Sequence, residues 1–166
     1  MFRAFPVLFL SVVCLVAGCD DDCDGPWCGC YAGRCDYVCG DDCAPGCTGA
    51  SDCNATCGDD CRYSCLSGPN CLVECGDRCN AVCQSTSTCH ASCGAACSYE
   101  CKNVNDCAPE VGPGSTVRCE SVGNCNATCH GPCSVECPNT GNCNVHCASG
   151  SAVQCADGRF VCDQAC

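Results

Sequence analysis

Basic residues, large apolar side chains and long hydrophobic runs are all scarce in this sequence, and each shortage excludes something. Seven lysines and arginines stand against 19 acidic residues, a formal net charge of −12. Such a chain repels nucleic acid and anionic lipid headgroups alike. One Trp, four Tyr and four Phe make up the aromatic content. The hydrophobic fraction of 47% is inflated by 32 cysteines; without them just over a quarter of the chain is conventionally apolar. A core of large side chains is therefore excluded. Ordering a residue costs ~1–2 kcal/mol, and too few such groups are present to offset it. The apolar run from Ala4 to Val16 is too short to span a bilayer, which takes ~20 residues.

Catalytic patterning is missing as well. His90, His130 and His146 do not align on one strand face, and no serine or threonine comes with a base and an orienting acid. The sequence reads as non-enzymatic.

Cysteine is what the chain has in abundance, and it is periodic. Cys35, Cys53, Cys71, Cys89, Cys107, Cys125 and Cys143 stand 18 residues apart. Most units follow C-x3-C-x3-C-x3-C-x5, as in CNATCGDDCRYSC from Cys53 to Cys65. Glycine at the sixth position, scattered prolines and few strong helix formers exclude a helix. Read with period two, positions 1, 3 and 5 are Cys, apolar, Cys, and positions 9, 11 and 13 repeat the pattern. Each C-x-φ-x-C segment is a short strand with one inward face. A three-residue turn, often Gly-Asp-Asp, joins the two strands. A five-residue turn ending in Asp52, Asn70, Asp106, Asn124 or Asn142 leads to the next unit.

Facing strands bring position 3 against position 11. The pairs are Tyr37 with Pro45, Ala55 with Tyr63, Val73 with Ala81, Ala91 with Tyr99, Pro109 with Val117, Ala127 with Val135, and Val145 with Val153. No large side chain meets another, which is the volume balance a packed interior requires. The expected fold is all-β: a disulfide-stapled β-solenoid of about seven 18-residue coils, with stacked β-hairpins as the alternative.

The fifth unit lacks both middle cysteines, with Val111 and Ser115 in their places. Their joint absence predicts bridges across the short turn: Cys39–Cys43, Cys57–Cys61, Cys75–Cys79, Cys93–Cys97 and Cys129–Cys133. Positions 13 and 1 pair either within a coil or with the next coil. Parity at the two ends favours the staggered scheme: Cys47–Cys53, Cys65–Cys71, Cys83–Cys89, Cys101–Cys107, Cys119–Cys125 and Cys137–Cys143. Cys23, Cys28, Cys30 and Cys35 are left for one end, and Cys147, Cys155, Cys162 and Cys166 for the other, without a defined connectivity.

Residues 1–18 carry Arg3, an apolar run and then Val16-Ala17-Gly18-Cys19, which resembles the lipobox of bacterial lipoproteins. An ordinary secretory signal is the alternative. The resemblance implies cleavage before Cys19, thioether lipidation of its sulfur and a fatty-acylated N-terminus, palmitate being the typical chain. Removing Cys14 and lipidating Cys19 leaves an even number of cysteines. Export places them where disulfides persist. The whole chain resembles the cysteine-rich repeat lipoproteins predicted in Gram-negative, especially myxobacterial, genomes. That resemblance implies a protein lipid-anchored in the bacterial cell envelope, on either membrane, with a structural or interaction role.

The domains expected are the signal peptide 1–18, a tether and N-terminal cap 19–34 with Trp27 and Tyr31, seven repeats over 35–158, and a C-terminal cap 159–166 with Phe160. The pattern calls for no cofactor, with Ca2+ the one candidate. Asp41, Asp42, Asp59, Asp60 and Asp77 recur in successive turns, and stacking would gather their carboxylates for a hard cation. The alternative is a solvated acidic edge partly neutralised by Arg78. Thiol-based metal or redox buffering is a weaker reading, because metallothionein-like C-x-C spacing occurs only at Cys28-Gly29-Cys30.

Overall fold

The computed structural model describes residues 27–166. The leader, the Val16–Cys19 motif and residues 19–26 of the tether and cap, Cys23 among them, lie outside the described residues. Strands run from β1 (Trp27–Cys30), β2 (Arg34–Val38) and β3 (Ala44–Thr48) to β4 (Asp52–Thr56), β5 (Arg62–Leu66) and β6 (Asn70–Cys75). Next come β7 (Asn80–Gln84), β8 (Thr88–Cys93), β9 (Ser98–Lys102), β10 (Asp106–Val111) and β11 (Ser115–Glu120). The last are β12 (Asn124–Cys129), β13 (Cys133–Glu136), β14 (Asn142–Cys147), β15 (Val153–Gln154) and β16 (Phe160–Cys162). No helix occurs among the described residues.

From β1 to β14, consecutive strands lie in different sheets. The even strands from β2 to β14 form one seven-stranded sheet, and the odd strands from β1 to β13 form the other, extended by β16 and β15. Each strand of the repeat pairs in parallel with its copy 18 residues on: Cys53 aligns with Cys71, and Cys71 with Cys89. The chain is a β-solenoid of about seven turns. Stacked hairpins are excluded, because a hairpin pairs neighbouring strands antiparallel.

The inward faces carry the pairs read from the pattern. Tyr37, Ala55, Val73, Ala91 and Ala127 are buried on one sheet, and Tyr63, Ala81, Tyr99, Val117 and Val135 on the other. The structure adds a third inward column inside the longer turn, made of Ala50, Gly68, Thr86, Val104 and Val122. The residues expected to end that turn instead begin strands and bond along the stack: Asn70 Nδ2 donates to Asp52 Oδ1 at 2.9 Å, and Asn124 Nδ2 to Asp106 Oδ1 at 2.7 Å.

Two corners of the coil require a left-handed backbone. At position 8, Asp42, Asp60, Arg78 and Ala96 have φ between 58° and 59°. At position 15, Ser67, Ser85, Asn103, Ser121 and Asn139 have φ between 53° and 59°. Serine, asparagine and aspartate tolerate that region through local hydrogen bonds, which accounts for much of the turn composition.

Both ends depart from the repeat. Val153, expected to face Val145, is 55% exposed, and β15 pairs only with β16. Instead β16 lies antiparallel on β13, with Phe160 opposite Val135 and Val161 opposite Ser134. Cys147–Cys162 and Cys155–Cys166 hold it there. The small residues from 149 to 152, with Gly150 at φ 71°, let the chain leave the coil path, and the larger Phe160 and Val161 take the covering position. At the other end Tyr31 is 79% exposed, its ring lying beside Gly29. There β1 adds a half-turn against β3, with Cys30–Cys35 repeating the staggered staple.

The three interior phenols make the rod sensitive to alkali. Burial pushes the ionisation of Tyr37, Tyr63 and Tyr99 upward, burial being the main cause in each case. A folded-state pKa above the unfolded value of about 10 means that stability is complete below pH ~10 and drains away above it. In a pH titration, tyrosinate absorbance from these three is expected only as the β-sheet circular dichroism collapses. Four tyrosines ionising together in an intact fold would contradict this.

Candidate functional site

The short-turn edge gathers most of the charged and sulfur chemistry. Its aspartates have a structural task. Asp41 Oδ1 accepts the backbone N–H of Asp59 at 2.8 Å, Asp59 Oδ1 that of Asp77 at 2.9 Å, and Asp77 Oδ1 that of Ala95 at 2.7 Å. Each of these N–H groups stands one residue before the left-handed corner, and the carboxylate of the preceding coil satisfies it. The column stops where it is no longer needed. Ala95 offers no carboxylate, and the next residue in line, Pro113, has no N–H to satisfy.

At position 8 the pattern is electrostatic. Arg78 Nε donates to Asp60 Oδ1 at 2.8 Å and Nη2 to Asp60 Oδ2 at 2.7 Å, with Asp59 Oδ2 3.4 Å from Nη2. This hydrogen bonding holds the Asp60 carboxyl below its usual range. Asp42 stands exposed at its corner. Of the five aspartates singled out for a cation, Asp41, Asp59 and Asp77 form a hydrogen-bonding column, Asp60 pairs with Arg78, and Asp42 is exposed.

Beneath these turns run two columns of sulfur at positions 5 and 9. Cys39–Cys43, Cys93–Cys97 and Cys129–Cys133 are bridged across the turn. The staggered bridges Cys47–Cys53, Cys65–Cys71, Cys83–Cys89, Cys101–Cys107, Cys119–Cys125 and Cys137–Cys143 are also present. The expected Cys57–Cys61 and Cys75–Cys79 bridges are not: all four cysteines are thiols. Spacing alone cannot separate a bridged rung from an open one, because the backbone repeats in both.

The thiols find partners along the stack. Cys61 Sγ lies 3.3 Å from the Gly40 carbonyl and Cys79 Sγ 3.3 Å from that of Gly58. Cys57 Sγ is 3.4 Å from Cys39 Sγ, and Cys75 Sγ 3.5 Å from Cys93 Sγ. In the fifth unit Ser115 makes the matching contact, its Oγ 3.4 Å from the Gly94 carbonyl, and accepts the Cys97 N–H at 3.0 Å. Serine there is a hydroxyl version of the same bond, a role the sequence reading missed. Burial first, and the Cys61 thiol second, push the Cys57 thiol up to about 12. Burial also raises Cys75 and Cys79.

The histidines remain apart. His130 Nε2 lies 3.4 Å from Glu110 Oε2 on the exposed surface, while His90 and His146 sit on other coils. An open groove of about 520 Å3 crosses the outer face of β3, β5 and β7, lined by Tyr31, Gly46, Thr48, Arg62, Ser64 and Asn80 among others. No family model, curated protein or solved structure matches this chain.

Proposed function

We propose that this is a lipid-anchored protein of the bacterial cell envelope, non-enzymatic, that presents a rigid rod in a structural or interaction role. The observation that carries the reading is Val16-Ala17-Gly18-Cys19 at the end of an apolar run behind a single basic residue. The body supports it. A solenoid with disulfides in nearly every turn resists proteolysis, because local opening must strain or break covalent bonds. The acidic surface keeps the rod off anionic headgroups, so attachment falls to the lipid. The membrane is the one partner proposed, through that anchor.

Membrane fractionation of a Cys19→Ser variant tests this. The variant is expected in the soluble fraction and without acyl mass, whereas the parent pellets with membranes and extracts only with detergent. A variant that pellets as the parent does would remove the lipoprotein reading.

A further inference from the structure

We propose that Cys57, Cys61, Cys75 and Cys79 form a binding site for a soft, thiophilic cation of the Cu(I) type. The inference goes beyond the envelope role and does not depend on it.

The four sit in two adjacent turns at positions that other turns close as disulfides, so the open state belongs to this part of the rod. They form two pairs on adjacent rungs. Cys57 and Cys61 lie within 4.8 Å of each other, as do Cys75 and Cys79. The two turns stack directly, the Gly76 N–H donating to the Gly58 carbonyl at 3.0 Å. Sulfur closes the group on both sides: Cys43 Sγ is 3.1 Å from Cys61 Sγ, and Cys93 Sγ is 3.5 Å from Cys75 Sγ. Both Cys43 and Cys93 are held in bridges, so the walls are fixed and the four open sulfurs are the available ligands.

The donor set selects the ion. Four thiols with no imidazole and no carboxylate among them suit a soft metal and not Ca2+ or Mg2+. Binding replaces an S–H bond with an S–metal bond, and the proton leaves to solvent; no electron is transferred. A dry setting strengthens the match. Cys57, Cys61 and Cys79 are 7%, 1% and 2% exposed, and a bare thiolate there would be strongly disfavoured without a cation beside it. Cys75, half-buried, is the open side. Cys61 Sγ and Cys79 Sγ each lie 3.5 Å from the backbone carbonyl two residues earlier in the same turn, that of Asp59 or Asp77.

The test uses the full chain, prepared anaerobically without reductant. Unfolding and alkylation are expected to label Cys57, Cys61, Cys75 and Cys79. Cu(I) titrated against a chromogenic chelator is expected to stay with the protein in a fixed ratio and to protect the same four from alkylation. Cys61→Ser with Cys79→Ser should weaken retention at least about tenfold, in line with losses seen even for outer-shell changes at metal sites. Cys129→Ser with Cys133→Ser, which removes a distant short-turn bridge without freeing a thiol, should retain copper. Wild-type protection is read without any variant, so a misfolded mutant does not decide the matter. Complete loss of copper to the chelator, protection at other cysteines, or a chain with no alkylatable thiols at these positions would overturn the site.

Discussion

Tyr99→Ala is expected to destabilise the rod by about 3–5 kcal/mol, at the upper end for a single substitution. Tyr99 is 2% exposed and among the largest fully enclosed side chains of the interior. Within its sheet it lies between Ala81 and Val117, and the opposite strand offers Ala91, so its neighbours are small. A cavity left there has little to fill it. The walls cannot close in, because Cys83–Cys89 and Cys101–Cys107 pin the coil perimeter on either side of the ring. The hydroxyl contributes separately: it lies 2.8 Å from Cys89 Sγ and 3.5 Å from Cys83 Sγ. Tyr99→Phe keeps the volume and is expected to cost only about 0.5–1.5 kcal/mol. Denaturant melts of both variants under oxidising conditions measure the difference. Equal losses would mean that the hydroxyl, not the packing, holds this turn.

Gly76→Ala is expected to cost about 1–3 kcal/mol, and Gly40→Ala almost nothing, although both occupy the same place in the repeat. A methyl on Gly76 would run into Asp59 Oδ1 and come within 3.1 Å of the Gly58 carbonyl. Asp59 cannot swing aside freely, because that oxygen accepts the Asp77 N–H. Moving it would leave a backbone donor unsatisfied, itself a loss of about 1–3 kcal/mol. At Gly40 an added methyl meets nothing within 4 Å. The difference in melting between the two variants isolates the contacts with the preceding coil, Asp59 Oδ1 and the Gly58 carbonyl, from any general effect of glycine replacement. Equal melting would show that the carboxylates do not hold the turns together.

The repeat, the two strands per coil and the interior pairing were legible because cysteine punctuates the sequence at fixed intervals. Its C-x-φ-x-C segments have only one sensible inward face. Legibility failed where the same position holds unlike residues. Ala50, Gly68, Thr86, Val104 and Val122 share an inward column, but nothing in their chemistry announces it amid turn-forming neighbours. The aspartates looked like ligands because repetition of a carboxylate suggests a cation. That each oxygen serves an N–H one coil away depends on a left-handed corner, seen only with the backbone in place. One sequence clue was available: Pro113 follows Ala95 in the column, so donor and acceptor vanish together. The Val145 and Val153 pair failed for a different reason. Phe160 and Val161 compete for the same surface of β13 and win it from the other direction, which an 18-residue period does not foresee. At Cys57, Cys61, Cys75 and Cys79 the spacing is the same as in bridged rungs, so oxidation state was not encoded in it.

The reversed strand β16 also constrains how such a protein grows over generations. A parallel stack invites another copy at its exposed rim, but a strand laid head to foot on β13 presents the wrong polarity for the next rung. Tandem duplication at that terminus would have to dismantle the closing segment first. Duplicating any 18 residues in the middle, by contrast, inserts one rung and lifts the closing segment by ~4.8 Å with every bond at both extremities intact. Genes of this architecture are therefore expected to differ in length by whole multiples of the period, with the variation confined to the interior.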